Sequence, residues 1–260
     1  MDAVASPPSL DVTTEPHRGG FWRRWLSAVI DIIIVTLPFS ALAAILFSMT
    51  AGMVQMDSGL FSTCTLSKAV PAVALDPPPP HDSNFSRICH VWFFTAKTGG
   101  VLTVGRATRD GNVTTTVTQS YMIDRNDKPI HGYAIDWIAS LALLAYLVVM
   151  IWKSGRSLGD RVVKLKVIDT TNPAARGVPL GKAFLRYPAM MIGFVPAFAL
   201  LIWRIMVGGS ADAMFTPDTF KWMAVTFSLA GVWIIVLIVQ IARKRDPYYD
   251  RLAGTAVIRT

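Results

Sequence analysis

One carboxylate lies inside an otherwise apolar segment near the N-terminus. Asp31 interrupts the sequence FWRRWLSAVIDIIIVTLPFSALAAILFSMTAGMVQM, and residues 32–56 that follow it carry no charge. An apolar run of this length is typical of a membrane-spanning helix. A carboxylate near the middle of such a helix costs roughly 2.5–3.5 kcal/mol on insertion scales. Two roles would explain that cost: a protonatable or cation-binding site facing the interior of a helix bundle, or a hydrogen bond between helices that serves packing.

Arg24 lies seven positions before Asp31, which is two helical turns and therefore the same helix face. The two residues are separated by roughly 10 Å along the axis, too far for an easy direct bond. Taken alone, Arg24 would be an anchor that extends its side chain to the membrane surface beside Trp22 and Trp25. Arg24 therefore marks one end of the helix as a membrane boundary.

The composition fits an integral membrane protein. Of the 260 residues, 52% are hydrophobic and only 16% are charged, whereas soluble domains carry about a quarter charged residues. The formal net charge of +8 would suggest nucleic acid as a partner of a soluble protein. Here the basic residues cluster at the ends of apolar runs, so the lipid bilayer is the expected partner and nucleic acid is not.

Four apolar runs predict four membrane spans with both termini on one side. The predicted fold class is therefore an all-α membrane protein, a four-helix transmembrane bundle with a small extracytoplasmic β-rich insertion and short cytoplasmic strands. The predicted spans are 21–56, 133–152, 185–206 and 221–242, and Pro188 and Pro196 should kink the third. The segments between and beside them are a disordered tail (1–20), the insertion (57–132), a cytoplasmic loop (153–184), a short outer loop (207–220) and a C-terminal segment (243–260).

The charges of the short loops predict the orientation in the cell (inner) membrane. The 207–220 loop has two aspartates and no Lys or Arg. Only two aspartates accompany the basic residues of the 153–184 loop, which are Lys153, Arg156, Arg161, Lys164, Lys166, Arg176 and Lys182. The positive-inside rule then places the termini and the 153–184 loop in the cytoplasm and residues 57–132 outside.

The two cysteines, Cys64 and Cys89, both fall in the insertion. Paired cysteines outside the helices predict a disulfide in an oxidising compartment. Two free thiols are the alternative. A zinc site with His81 and His90 is disfavoured because the spacing matches no standard motif, so we expect no metal.

The second half of the insertion has the alternation of short strands. The sequences HVWFFTAK, VLTVGRAT and NVTTTVTQSYMI predict three strands, with turns at Thr98-Gly99-Gly100 and Asp110-Gly111. Residues 57–89, with four consecutive prolines at 77–80, are expected to be irregular.

Two further strands are predicted on the cytoplasmic side. Val163, Leu165 and Val167 alternate with lysines, and the C-terminal sequence GTAVIRT has the same character. Because a strand needs a partner, the two segments should either pair with each other or lie together on the membrane surface.

Three parts of the chain together resemble the RDD family of bacterial membrane proteins, which is named for one arginine and two aspartates. They are WRRWLSAVID, the cytoplasmic GRSLGDRVVKLKVIDTTNPAARGVPLGKAFLRYP and the terminal DPYYDRLAGTAVIRT. The resemblance does not extend to the insertion between the first two helices. It implies a membrane bundle, and transport is the activity suggested for such proteins.

Carried over residue by residue, the resemblance assigns the family's arginine to Arg24, its intrahelical aspartate to Asp31 and its second aspartate to Asp250. Arg23 competes with Arg24 for the first assignment. The chain departs from the family at Gly159-Asp160, where Gly-Lys is common. Because Arg24 and Asp250 both belong to the cytoplasmic boundary, we expect an ion pair that holds the C-terminal segment against the first helix.

Two functions are compatible with these residues. The first is transport of an ion or small solute with Asp31 as the titrating group, which would need a homo-oligomer because four helices leave little room for a path. The second is a non-transporting module for assembly, sensing or binding of a protein partner. We expect neither an enzyme nor a cofactor, because no metal-ligand helix, nucleophile motif or Gly-rich phosphate loop occurs.

Overall fold

The computed structural model describes residues 18–70, 74–111, 113–208 and 217–260. Its helices are α1 (Phe21–Met49), α2 (Asp136–Ser154), α3 (Leu158–Val162), α4 (Leu180–Met190), α5 (Val195–Gly208), α6 (Pro217–Ala242) and α7 (Tyr248–Leu252). Its strands are β1 (Val54–Gln55), β2 (Phe61–Ser67), β3 (Phe85–Phe93), β4 (Ala96–Asp110), β5 (Val113–Ile123), β6 (Pro129–Ile130), β7 (Tyr133–Ala134), β8 (Leu165–Asp169) and β9 (Thr255–Arg259).

The chain forms two compact units whose boundaries fall within α1 and α2. We call Asp31–Ala145 the sheet unit, and residues 18–30 together with Tyr146–Thr260 the terminal unit. Each is described by itself below.

Three helices among the described residues are long and apolar enough to cross a membrane: α1, α2 and α6. The third apolar run, which was predicted to be kinked, forms α4 and a following helix bent by 41° relative to it, and the bent pair is long and apolar enough to be a fourth span. A 3-10 turn, Ile192–Phe194, separates them. Pro196 lies in the first turn of α5, where its missing N–H has no intrahelical partner to lose. At this break Gly193 lies so close to Trp233 that an added Cβ would come within 2.4 Å of the indole.

The sheet unit is built on a five-stranded antiparallel sheet in the order β2-β3-β4-β5-β6. Side chains at alternate positions of β4 and β5 form its core: Leu102, Val104, Tyr121 and Ile123. The short strands β1 and β7 pair in parallel. Buried Gln55 of β1 joins this pair to the sheet, because its amide nitrogen donates to the Ile123 carbonyl at 2.9 Å and its amide oxygen accepts from Gly100 N–H at 2.9 Å.

The predicted all-α fold class is wrong. Strands make up about 25% of the structure and helices about 48%, so the molecule is a mixed α and β protein with three or four apolar helices. The prediction underestimated the sheet because residues 57–89 contain β2 and half of β3. Strand β2 lies at the sheet edge and all its residues are exposed, so its sequence FSTCTLS lacks the alternation that reveals a half-buried strand.

The structure confirms the Cys64–Cys89 disulfide. The two cysteines lie directly opposite each other in the β2–β3 register. The predicted turn at Asp110-Gly111 is also confirmed, with Gly111 at a φ of +57°.

The predicted turn at Thr98-Gly99-Gly100 is wrong, because these residues lie inside β4. The chain reverses instead after Phe93, and Phe94 takes a φ of +52°. The glycines serve close packing: a Cβ on Gly100 would come within 2.7 Å of Ile123.

In the terminal unit, the pairing predicted between the strand near residues 163–167 and the C-terminal strand in 254–260 is confirmed. Strands β8 and β9 are antiparallel, with Val167 opposite Val257. The chain before α1 joins them, since Arg18 forms a β-bridge with Ile258 and Gly19 N–H donates to the Val257 carbonyl at 3.0 Å. These two residues belong to the predicted tail, whose first 17 residues lie outside the described part of the chain.

Candidate functional site

The carboxylate of Asp250 is completely buried and lies between two arginines. Its Oδ2 accepts a hydrogen bond from Arg24 Nη1 at 2.7 Å, and its Oδ1 lies 3.0 Å from Arg186 Nε. The Thr255 hydroxyl donates to the same Oδ1 at 3.2 Å. We call Arg24, Arg186, Tyr249, Asp250 and Thr255 the Asp250 cluster. It brings together residues from α1, α4, α7 and β9, all within the terminal unit.

The sequence DPYYDRLAGT places Asp250 by local rules. Pro247, with its φ of −65°, is the N-cap of the five-residue helix α7, and Asp250 N–H donates to its carbonyl at 3.0 Å. Gly254 then takes a φ of +64°, a left-handed conformation that suits glycine and lets the chain leave α7 for β9. Thr255 follows at once and donates to the Asp250 backbone carbonyl at 3.3 Å as well as to its side chain.

Arg24 reaches the cluster from the beginning of α1. Besides its ion pair, Nη1 lies 3.3 Å from the Tyr249 hydroxyl and Nε donates to the Gly19 carbonyl at 3.1 Å. Arg23, the competing candidate, donates instead to the Val163 carbonyl at 2.9 Å. The ion pair expected from the sequence is therefore present and involves Arg24.

Arg186 is a member of the cluster that the sequence analysis missed. It lies at the start of the third predicted span, 185–206, where a cation is common at the end of an apolar run. Its guanidinium packs on the Tyr249 ring, with the centroid 5.6 Å away, and its Nη1 is buried with no hydrogen-bond partner among the described residues. Two cations thus share one carboxylate.

Asp160 supplies a second carboxylate near Arg186, close enough for the two charges to attract. It forms a capping box at the start of α3 with Ser157, whose hydroxyl accepts from Asp160 N–H at 3.0 Å. Asp160 Oδ1 also accepts from the Ser27 hydroxyl of α1 at 2.7 Å. Asp160 is therefore an anion that binds α1 and offsets the charge of the second arginine.

Asp31 is 3% exposed and takes part in a polar interaction. Of the three residues carried over from the resemblance, the structure joins Arg24 and Asp250 directly. On α1 the face that bears Asp31 continues toward the N-terminus through Ser27, also buried, to Arg24.

A separate ion pair joins α4 to β8. Lys182 Nζ lies 2.5 Å from Asp169 Oδ1, which also accepts from the N–H and hydroxyl of Thr171 at 2.9 and 2.8 Å. The hydrogen bond from Lys182 holds the pKa of Asp169 below its ordinary value, and the Thr171 hydrogen bonds act in the same direction against the effect of burial.

The zinc alternative loses its ligands because Cys64 and Cys89 are joined in the disulfide. The Nε2 atom of His90 lies 3.4 Å from Oδ1 of Asp127. In the described parts of the chain, His, Cys, Asp and Glu form no group of three or more that could hold a metal ion.

Comparison with known proteins decides the family. The sequence matches the RDD family over residues 18–254, which includes Arg24, Asp31 and Asp250. The chain belongs to the RDD family. No curated protein and no solved structure matches it. Together with the apolar helices, this membership makes the chain a multi-pass membrane protein.

Asp250→Asn should destabilise the protein strongly. The variant leaves Arg24 and Arg186, whose side chains are 10% and 13% exposed, buried without their shared anion. Breaking a buried pair in this way costs about 3–5 kcal/mol. Thermal unfolding of the purified full-length protein in detergent measures the effect.

The matched control is Asp218→Asn, because Asp218 forms an ion pair with Lys221 in which both side chains are more than three-quarters exposed. Exposed pairs contribute little, so this variant should unfold like the parent. Equal stability of Asp250→Asn and the control would show that the cluster does not hold α7 in place.

Lys182→Met should make the unfolding temperature of the protein less dependent on pH in the acid range. A lowered pKa in the folded state means that the Lys182–Asp169 pair stabilises the protein above the ordinary Asp pKa near 3.9. That contribution is lost as pH falls through the lowered pKa. The parent should therefore lose its advantage over the variant in this acid window, as measured by thermal unfolding between pH 6 and about pH 2. Lys221→Met, in the exposed pair, is the control, and a constant difference between parent and Lys182→Met would contradict the assignment.

Proposed function

We propose that this RDD-family protein transports a small cation, a proton or a sodium ion, with Asp31 as the group that binds it. The observation that supports the proposal is a buried carboxylate in α1, whose other residues include no acidic group. Ionisable residues inside membrane helices are costly and typically mark ion pathways or proton relays.

The polar face of α1 supports a path to Asp31 from one membrane boundary. Arg24, Ser27 and Asp31 follow one another at helical spacing over roughly 10 Å. The first two are bound to the carboxylates of Asp250 and Asp160 at the end where α1 begins. In the proposed path, an ion would pass along these polar residues from the start of α1 to the carboxylate of Asp31.

A homo-oligomer is part of the proposal, because three or four helices in one chain leave little room for a path. Large apolar side chains remain exposed along α6 in the single chain, including Val225, Leu229, Val232 and Ile235. Lipid tails or a second copy would cover them.

Asp31→Asn should abolish cation flux while leaving the fold intact. The amide is close in size to the carboxylate but can neither take up a proton reversibly nor balance a bound cation. Flux is measured in proteoliposomes after an imposed gradient, with a pH-sensitive dye inside for protons and a sodium-sensitive dye inside for sodium ions. Parent and variant are compared at equal reconstituted amounts and with matching thermal unfolding.

Asp218→Asn, the same substitution at an exposed position of α6, should retain the flux of the parent. Unchanged flux in Asp31→Asn would remove Asp31 from the mechanism. A parent protein that moves neither ion would contradict transport and favour the second candidate.

The second candidate is a non-transporting module that binds a protein partner. It is favoured by β2, an edge strand whose residues are all exposed, with Leu66 70% and Phe61 51% exposed. An exposed edge offers unpaired backbone groups to a strand of another chain.

We also propose that the termini and residues 153–184 lie in the cytoplasm and that residues 57–132 lie outside. The excess of Lys and Arg in the 153–184 segment supports this orientation. The disulfide of the sheet unit supports it independently, since such bonds persist in oxidising compartments.

Two single-cysteine variants test the orientation in a Cys64→Ala, Cys89→Ala background. Lys68→Cys, in the exposed part of the sheet unit, should react with a membrane-impermeant maleimide in intact cells. Thr260→Cys should react only after lysis. Labelling in the reverse order would overturn the orientation.

A further inference from the structure

An open cavity of about 400 Å³ lies beside the end of α6 and is lined by four cations and one carboxylate: Arg18, Lys244, Arg245, Asp246 and Arg251. Arg18 Nη2 lies 2.9 Å from Asp246 Oδ2, so the carboxylate neutralises one of the four cations and leaves an excess of three. Such a surface is complementary to an anion with more than one oxygen acceptor.

The cavity lies where two apolar helices end. Helix α6 ends at Ala242, two residues before Lys244, and Arg18 lies three residues before Phe21, the first residue of α1. Trp22 and Trp25, in the first turns of α1, are 74% and 52% exposed. Exposed tryptophans of this kind mark the headgroup level of a membrane. The cations therefore lie at the depth of lipid phosphates.

The backbone holds Lys244 in a conformation that favours glycine. Its φ is +56°, its N–H donates to the Ile241 carbonyl at 3.0 Å, and Arg245 N–H donates to the Gln240 carbonyl at 2.9 Å. These two bonds form the Schellman motif that ends a helix, with lysine at the position where glycine has no steric cost. At this position the lysine supplies a cation to the cavity.

Asp246 adds a second feature of the ligand. Its Oδ1 is buried and accepts no hydrogen bond from the described residues. An anion alone would not satisfy this oxygen, whereas a ligand that also carries hydroxyl groups would donate to it.

We propose that this cavity binds the headgroup of an anionic phospholipid, with the phosphate on Lys244, Arg245 and Arg251 and a headgroup hydroxyl on Asp246. Phosphatidylglycerol, which has one phosphate diester and two free hydroxyls, has the required chemistry. Basic pockets at membrane boundaries bind such headgroups in other membrane proteins.

The test uses the full-length protein in a zwitterionic detergent, titrated with short-chain phosphatidylglycerol, with phosphatidylcholine or with inorganic phosphate. Binding is followed by the rise in unfolding temperature. The variant Lys244→Gly, Arg245→Gln removes two cations, each worth roughly fivefold in affinity, so phosphatidylglycerol should bind about 25-fold more weakly.

The matched control is Lys164→Gly, Arg161→Gln. Lys164 is also exposed and has a φ of +58°, so the control makes the same change of charge and backbone away from the cavity. Its affinity should stay within about twofold of the parent, because neither residue lines the cavity.

The single variant Lys244→Gly should fold like the parent, because glycine suits the left-handed position, so weaker binding by this variant cannot be due to misfolding. It should bind phosphatidylglycerol roughly fivefold more weakly. Equal weakening by the control pair would overturn the proposal in favour of a general charge effect. Equal affinity for phosphatidylglycerol and phosphatidylcholine would also overturn it. Binding of inorganic phosphate as tight as that of phosphatidylglycerol would assign the cavity to a soluble anion instead of a lipid.

Discussion

The buried carboxylate of Asp250 is the constraint on which the terminal unit depends. A carboxylate without solvent is tolerated only when charges and hydrogen bonds replace its hydration, and here Arg24, Arg186 and Thr255 do so. These partners come from both ends of the chain and from its middle. The ion pairs therefore require α1, α4 and α7 to meet at one point before any of the three charges is satisfied.

Because Thr255 follows Asp250 so closely, the position of α7 also determines where β9 begins. Strand β9 then pairs with β8 on one side and with the segment before α1 on the other, which closes the connection back to Arg24.

The balance of charges around the cluster explains what Asp160 does. Two arginines facing one aspartate would leave a buried cation in excess, and Asp160 offsets it from the start of α3. A lysine at that position would instead add a third cation to Arg24 and Arg186. Buried ion pairs add little net stability compared with apolar packing, but breaking one of them is costly. We therefore expect their main effect to be the selection of one arrangement of α1, α4 and α7. Asp31 lies about two helical turns further along α1 than Arg24, and the transport role is proposed for Asp31 and not for the Asp250 cluster.

The sequence was sufficient to predict features that follow from local pattern or from topology. The β8–β9 pair follows from alternation, and the Arg24–Asp250 pair follows from two opposite charges at the same membrane boundary. Features that depend on tertiary packing were missed. Arg186 resembles any cation at the end of an apolar run until the fold brings Asp250 to it. The glycines at 99 and 100 indicated a turn, although they are needed for close approach within β4, and the edge strand β2 has no buried face to reveal it.

The charged groups near the start of α1 and the end of α6 act on one another, and this links the cavity proposed to bind a lipid headgroup to the Asp250 cluster. Asp246, on the wall of the cavity, interacts electrostatically with Arg18, Asp250, Arg24 and Arg251, and burial raises its pKa. Charges that are partly withdrawn from water are screened far less by salt than exposed ones.

A phosphate bound in the cavity would compete with Asp246 for Arg18 and would add a negative charge on the side of the cluster where α1 begins. Because Arg24 already neutralises Asp250, that extra charge would act mainly on Arg18 and Asp246, the pair beside the bridge to β9. Competition for Arg18 would weaken the Arg18–Asp246 pair while the Asp250 ion pairs stay closed. The Asp250 cluster thus holds α1, α4 and α7 together, while the charge of a headgroup in the proposed site would act on the segment before α1.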